Sequence, residues 1–232
     1  MKAVVVIPTY DEKENIALLI KDIIQLGLNI SILVVDDDSP DGTGEIVARL
    51  AAEYPQVNIL HRYDQKGRGS AGITGFQKAL TMPVDYIIEM DADFSHQPKY
   101  IPDLLKTIEG CDVVIGSRGI KGGEEAGRNL FRTMITKLAN SYIRWLLGLK
   151  VRDCTSGFRC FRREVLETIP LSNLYSNGPS IVEEILYHCH KNGFRIKEVP
   201  IIFQDRKRGK SSLTFYKLLQ TFFMIHKLRL LA

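Results

Sequence analysis

Two aspartates one residue apart, Asp91 and Asp93, close an apolar run over 86–90. Carboxylates at the mouth of a buried strand can present oxygens to one hard divalent cation, Mg2+ or Mn2+, and such a cation bridges readily to a diphosphate. The chemistry suggested is performed on a nucleotide diphosphate. Taken alone, the pair reads as well as an acidic turn with Asp93 as a helix N-cap, so its neighbours matter. Pro8, Tyr10 and Glu12 follow an earlier apolar run. Tyr10 offers a ring for a nucleobase, and Glu12 can accept hydrogen bonds from base or ribose donors. Asp36, Asp37 and Asp38 follow a second run. Asp37 is a further acceptor for nucleotide donors, and Asp41 is expected to cap the helix that starts near Gly42, although the acidic run also reads as a solvated turn. Lys66, Gly67, Arg68 and Gly69 precede a helical stretch and either help hold a diphosphate or form a basic turn.

The elements that must position these residues alternate. Strand patterns at 2–7, 30–35, 57–61, 84–90 and 112–116 are separated by helical patterns at 13–26, 42–53, 69–80 and 99–109. This rhythm predicts an α/β fold, a Rossmann-like, mostly parallel central sheet flanked by helices. Ligands of such sheets bind beyond the carboxyl ends of the strands, where the polar clusters lie. The rhythm breaks after Arg118. A glycine-rich segment, 119–127, is expected to be a mobile loop. A long helix at 128–147, a strand at 155–162, a helix at 179–191 and a strand at 195–203 follow. No linker divides the chain, so one domain over 1–212 is expected, with an amphipathic helical segment over 213–232.

The 232 residues suffice for one α/β domain with a substantial core. A net charge of +4 is too weak to argue for nucleic acid as a partner. From Arg206 onward there is no acid but there are seven cations, and this dense apolar, basic tail favours an anionic surface such as a membrane. Cys111, Cys154, Cys160 and Cys189 have no metal-ligand spacing, which points to a reducing, cytoplasmic compartment. The N-terminus lacks the form of a signal peptide, and no apolar stretch reaches the ~18 residues of a membrane span.

Six blocks occur in one order: Pro8 to Asn15, Val34 to Thr43, Asp91 to Pro98, Gly116 to Arg118, Thr155 to Arg159, and Val199 to Ile201 with Arg206 and Gly209. Together they resemble the family 2 glycosyltransferases of GT-A fold, and within them the dolichyl-phosphate mannose synthases. Ser95-His96 is the most mannose-specific piece. The resemblance implies transfer of mannose from GDP-mannose to dolichyl or another polyprenyl phosphate, with inversion, giving dolichyl β-D-mannosyl phosphate and GDP. It implies metal ligation by Asp91 and Asp93, Asp91 also contacting the sugar or ribose, with Ser95 where relatives have a third ligand. It implies nucleotide-sugar contacts from Pro8, Tyr10, Glu12, Asp37, Lys66, Arg206 and Lys210, and acceptor and donor phosphate contacts from Arg118, Arg132 and Arg206. Ser212 replaces a lysine common in relatives. Asp153 and Arg159 are expected to pair with each other or to meet substrate, and Glu184 stands where the family has a single acid. A general base is unnecessary because the acceptor phosphate is already anionic. The expected location is the cytoplasmic face of a membrane. An end at Ala232 fits either a short form that needs a small membrane-anchoring subunit or a truncated chain. The competing readings are a polyprenyl-phosphate glucosyltransferase using a UDP-sugar and a non-catalytic nucleotide-sugar-binding protein.

Overall fold

A computed structural model describes residues 2–64, 67–176, 178–205 and 215–230, with side chains of the last stretch from 221 onward. Strand β1 (Ala3–Thr9) is wholly buried, as a strand covered on both faces must be. The chain steps outward through α1 (Ile16–Gln25), β2 (Ile30–Asp36), α2 (Thr43–Glu53), β3 (Val57–His61) and α3 (Arg68–Leu80). It then returns to the other side of β1 as β4 (Tyr86–Glu89). This reversal leaves the carboxyl ends of β1 and β4 side by side at a topological switch point, where open α/β sheets bind ligands. The register pairs Val6 with Glu89, and the Met90 N–H donates to the Val6 carbonyl.

The second half completes the sheet with α4 (Ile101–Ile108), β5 (Val113–Ser117), β6 (Glu124–Ala126), α5 (Leu130–Leu147), β7 (Arg159–Arg162), α6 (Arg163–Thr168), α7 (Ile181–Lys191), β8 (Ile196–Pro200), β9 (Ile202–Gln204) and α8 (Phe215–Leu230). The seven-stranded order is β3-β2-β1-β4-β7-β5-β8, with β7 antiparallel to both neighbours and the other pairings parallel. The strand expected at 155–162 shortens to β7, because 155–158 turn out of the sheet. The strand expected at 195–203 divides at Ile201, and β9 pairs with β6 in a separate two-stranded sheet. The segment 119–127, expected to be a mobile loop, therefore contains a strand. Backbone pairing with β9, which no local pattern encodes, corrects that expectation.

Two apolar layers sandwich the sheet. Ile7, Ile16, Ile20 and Ile88 lie in one, and Val4, Val6, Phe76 and Phe161 in the other. A third cluster joins α5, α7 and α8 through Ile143, Leu147, Leu186, Ile225 and Leu228. The last helix thus buries one face against the domain, while Phe223 stands 68% exposed.

Candidate active site

Strand register builds the site. Glu89 ends β4 directly opposite Arg159 on β7, a buried cross-strand pair of opposite charge. Two residues on, Asp91 emerges half-buried beside the end of β1. The following turn places Phe94 at a φ of 61°. Asp11 and Asp38, in the turns after β1 and β2, also have positive φ. Such backbone costs roughly 1–2 kcal/mol for a residue with a Cβ, and it persists where the surrounding fold over-determines it. All the described non-glycine residues of this kind lie at the carboxyl edge of the sheet.

Asp91, Asp93, Arg68, His96 and Arg118 come together electrostatically. The Asp93 Oδ1 accepts the Ser95 N–H at 3.0 Å, folding the loop back on itself. The Ser95 Oγ is buried and has no hydrogen-bond partner among the described groups. A fully buried hydroxyl in that condition is costly. Its place in the loop of Asp91 and Asp93, with its own N–H on Asp93, fits a donor set for a hard cation, with a diphosphate and water completing the shell. Among the described residues no group of three or more His, Cys, Asp or Glu is disposed to hold a metal, so any cation here would need ligands beyond the two aspartates.

His96 is buried, and its Nδ1 accepts the Asp91 N–H at 3.1 Å. Its ring stacks on Phe158 at 5.1 Å and meets Phe203 edge-on. Burial lowers its pKa despite the pull of Asp91 and Asp93, so the ring is neutral with its proton on Nε2. It buttresses the loop that presents Asp91.

Arg68 is the residue whose role sequence reasoning missed. The sequence groups it with Lys66, Gly67 and Gly69 as holding a diphosphate or forming a basic turn, but its side chain turns inward. Nη1 donates to Glu89 Oε1 and Nη2 to Asp91 Oδ1, each at 2.8 Å. Burial works against its charge, but Glu89 and Asp91 more than offset that and raise its pKa. The sequence carries the cue in an arginine in a helix's first turn, two strand-end acids, Glu89 and Asp91, and glycines to admit it.

The other expected site residues take distinct positions. Pro8 is buried near the end of β1, Tyr10 is half-exposed beyond it, and Glu12 accepts from the Asn15 side chain at 2.7 Å. Asp37 is buried; it accepts from Arg62 on one oxygen and from the Gly67 N–H on the other at 2.7 Å. The anion at the approach to α3 is therefore the chain's own. Asp41 accepts the Thr43 N–H at 2.9 Å and holds the start of α2 from one residue before the cap, which is Gly42. Arg118 does not present its fork to the open site, because Asp153 takes Nε and Nη2 at 2.7 Å each. Burial opposes ionisation of Asp153, but Arg118 outweighs it and lowers the pKa. The expected Asp153–Arg159 pair is not made. Arg159 is buried deeper and donates to the carbonyls of Cys154 and Val182. Glu184 accepts the N–H groups of Tyr175 and Ser176, an anchor for the loop before α7. Glu183 is buried near Arg159, and burial pushes it up to about 7.

Arg132, 51% exposed, lies 3.5 Å from Asp205. Near that point β9 ends: the Asp205 N–H donates to the Ala126 carbonyl and the Gln204 N–H to that of Ser95. The chain thus enters its basic segment beside both Arg132 and the loop after β4. Lys66, Arg206 and Lys210, like Ser212, lie outside the described residues.

This sheet order, with acids at the switch point, defines the GT-A class of glycosyltransferase folds. In keeping with it, glucosyl-3-phosphoglycerate synthase from Mycobacterium tuberculosis, solved with phosphoglyceric acid, superposes with a TM-score of 0.72 over 98% of this chain and 79% of that one, at 18% identity. The same synthase solved with Mn2+, UDP and glucosyl-3-phosphoglycerate gives 0.68 at 19% identity, over 98% of this chain and 77% of that one. The model of glycosyl transferase family 2 matches residues 4–170, and the chain belongs to that family. It is 38% identical to a polyprenol monophosphomannose synthase of Mycolicibacterium smegmatis, over 97% of this chain and 85% of the relative. It is 39% identical to an undecaprenyl-phosphate mannosyltransferase of Micrococcus luteus (92% and 88%). It is 41% identical to a dolichol-phosphate mannosyltransferase of Pyrococcus furiosus, 92% of this chain aligning with 59% of that protein.

Proposed function

We propose that the protein transfers mannose from GDP-mannose to a polyprenyl phosphate, with inversion, at the carboxyl ends of β1 and β4. The main support is identity of 38–41% over more than nine-tenths of the chain to three mannosyl-transferring relatives. Intact Asp91 and Asp93 at the switch point agree with it, and they argue against a non-catalytic binder. Pro8, Tyr10 and Glu12 line the nucleotide side, where Tyr10 is exposed enough to stack on a base. Asp91, Asp93 and Ser95 would hold Mg2+ or Mn2+, which when bound would supply positive charge to the leaving diphosphate. Asp37 fixes the approach to α3 and thereby the nucleotide side, and Lys66, next to Gly67 in sequence, adds charge for the diphosphate.

The acceptor phosphate needs no base. It needs cations to offset its repulsion from the donor diphosphate. Arg132 and Arg206 supply them, with Lys210 nearby in sequence, because the guanidinium forks onto phosphate oxygens and stays charged. Arg118 acts as a rigid wall: Asp153 holds it, and it stacks over Phe203 at 4.9 Å.

The lipid part of the acceptor calls for an apolar surface. Helix α5 contains no acid and exposes Leu130, Phe131, Met134 and Leu138 along one side, with Trp145 78% exposed further on. Phe223 of α8 is exposed as well. No described helix is long and apolar enough to cross a membrane. We infer a peripheral position on the cytoplasmic face of a membrane, with these helices at the interface and room for a membrane-anchoring subunit.

The test is a donor screen with a short polyprenyl phosphate and Mn2+ or Mg2+. GDP-mannose is expected to be turned over, and UDP-glucose and UDP-GlcNAc are not. Preferred turnover of UDP-glucose would move the assignment to a glucosyltransferase, and no turnover of any donor would leave a binding protein.

A further inference from the structure

Arg68 occupies a place made for it. A Cβ added at Gly157 would lie 2.6 Å from the Arg68 Nη2, and one added at Gly72 would lie 3.0 Å from the Glu89 Oε1. Glycines on two different segments thus leave room for one guanidinium and its partner. That guanidinium spans two carboxylates of unequal exposure. Glu89 is 2% exposed and fixed by the sheet, whereas the Asp91 side chain is 31% exposed at the strand mouth. One tine of the fork is anchored in the core and the other reaches the more exposed acid. Asp91 lies on a backbone whose own N–H is held by His96. The carboxylate is therefore fixed at its oxygen by Arg68 and at its root by His96.

We infer that Arg68 is a positioning residue for the metal-facing carboxylate: braced on Glu89, it holds Asp91 Oδ1 so that the remaining lone pairs of Asp91 face Asp93 and the donor. This rests on the proposed metal role of Asp91 and Asp93. Carboxylate ligands oriented by an outer hydrogen bond typically lose ten- to a hundredfold in metal affinity when that bond is removed. Arginine suits the task better than lysine, because its rigid fork reaches two acids at once with fixed geometry.

The test is Mn2+ affinity in the presence of GDP, read by the electron paramagnetic resonance of free and bound Mn2+, with no turnover involved. Arg68→Met leaves Glu89 short of a counter-charge and risks the fold. Arg68→Met/Glu89→Gln removes both charges, leaves Arg159 opposite a neutral partner, and is the principal variant, with its thermal melt and that of Glu89→Gln alone as the folding controls. The expected result is Mn2+ affinity lowered roughly tenfold or more in the double variant, a broadened bound-Mn2+ spectrum, and partial recovery with Arg68→Lys. Unchanged affinity would make Arg68 a structural counter-charge for Glu89 and overturn the inference. Raised affinity would overturn it too, making Arg68 a competitor of the cation. Wild type and Asp93→Asn separate the two levels: if wild-type protein with GDP binds no Mn2+, the metal reading itself fails.

Discussion

Arg68, Glu89, Asp91 and His96 brace one another at the strand ends, whereas Leu130, Phe131, Met134 and Leu138 stand out from α5 into solvent. The first region is assembled from the end of β4, the start of α3 and the loop after β4, and its groups are held by directional hydrogen bonds. The second is a single helix whose exposed side chains are held by little beyond their own backbone. The contrast follows from the ligands each would meet. A diphosphate leaving a sugar develops charge at fixed positions, and fixed charges stabilise it most. A polyprenyl chain or bilayer presents no fixed geometry, and its interaction grows with apolar area irrespective of direction. Substitutions should therefore act steeply at the strand ends and gradually on α5.

The steepest effect is expected at Asp93. Asp93→Asn should lower transfer of labelled mannose by about 10³-fold, while the melting temperature barely moves because the amide oxygen can still accept the Ser95 N–H. Full activity of this variant in a chelator would remove the metal from the strand-end region. On α5, Phe131→Ser with Leu138→Ser should reduce binding to anionic vesicles roughly tenfold or more, since burying such side chains contributes about 1.5–3 kcal/mol each. Sedimentation with vesicles reads this, and equal binding by both proteins would make α5 an ordinary solvated helix.

The interior flank of the cluster sharpens the contrast through pH. Glu183 rises from 4.5 to about 7 on folding, because burial penalises its charge. Its folded pKa lies above its unfolded one, so its contribution to stability is complete below the unfolded value and is lost as pH rises through 7. Wild type should lose about 2 kcal/mol from this group between roughly pH 5.5 and pH 8. Glu183→Gln should not show that loss in urea melts, and parallel curves for the two proteins would exclude Glu183 as its source. The smallest effect is expected at Arg132. Its exposed pair with Asp205 contributes under about 1 kcal/mol, so Arg132→Ala should leave stability nearly unchanged. It should lower kcat/KM for polyprenyl phosphate several-fold without changing the Kd for GDP. Equal small losses in both would place Arg132 outside the acceptor site.

The sequence by itself determined the first half of the fold and the location of the candidate site. Buried parallel strands are near-continuous apolar runs, and amphipathic helices repeat every three to four residues; both are local signals, so the first five strands were legible to within two residues of each end. The acids after those runs were legible for the same reason. Tertiary structure alone decided which charges meet. Whether Asp153 faces Arg159 or Arg118 depends on where β5 and β7 leave the sheet, and Arg159 is drawn instead to the register opposite Glu89. The inward turn of Arg68 needed Gly72 and Gly157, four and eighty-nine residues away, to open the space. The pairing of β6 with β9 joins segments some eighty residues apart through backbone hydrogen bonds, for which the side chains of 119–127 give no periodic sign. The exposed side of α5 was equally hidden. A helix's apolar residues show that it has a face, but only the packing of Ile143 and Leu147 against α7 and α8 decides which of them remain outside.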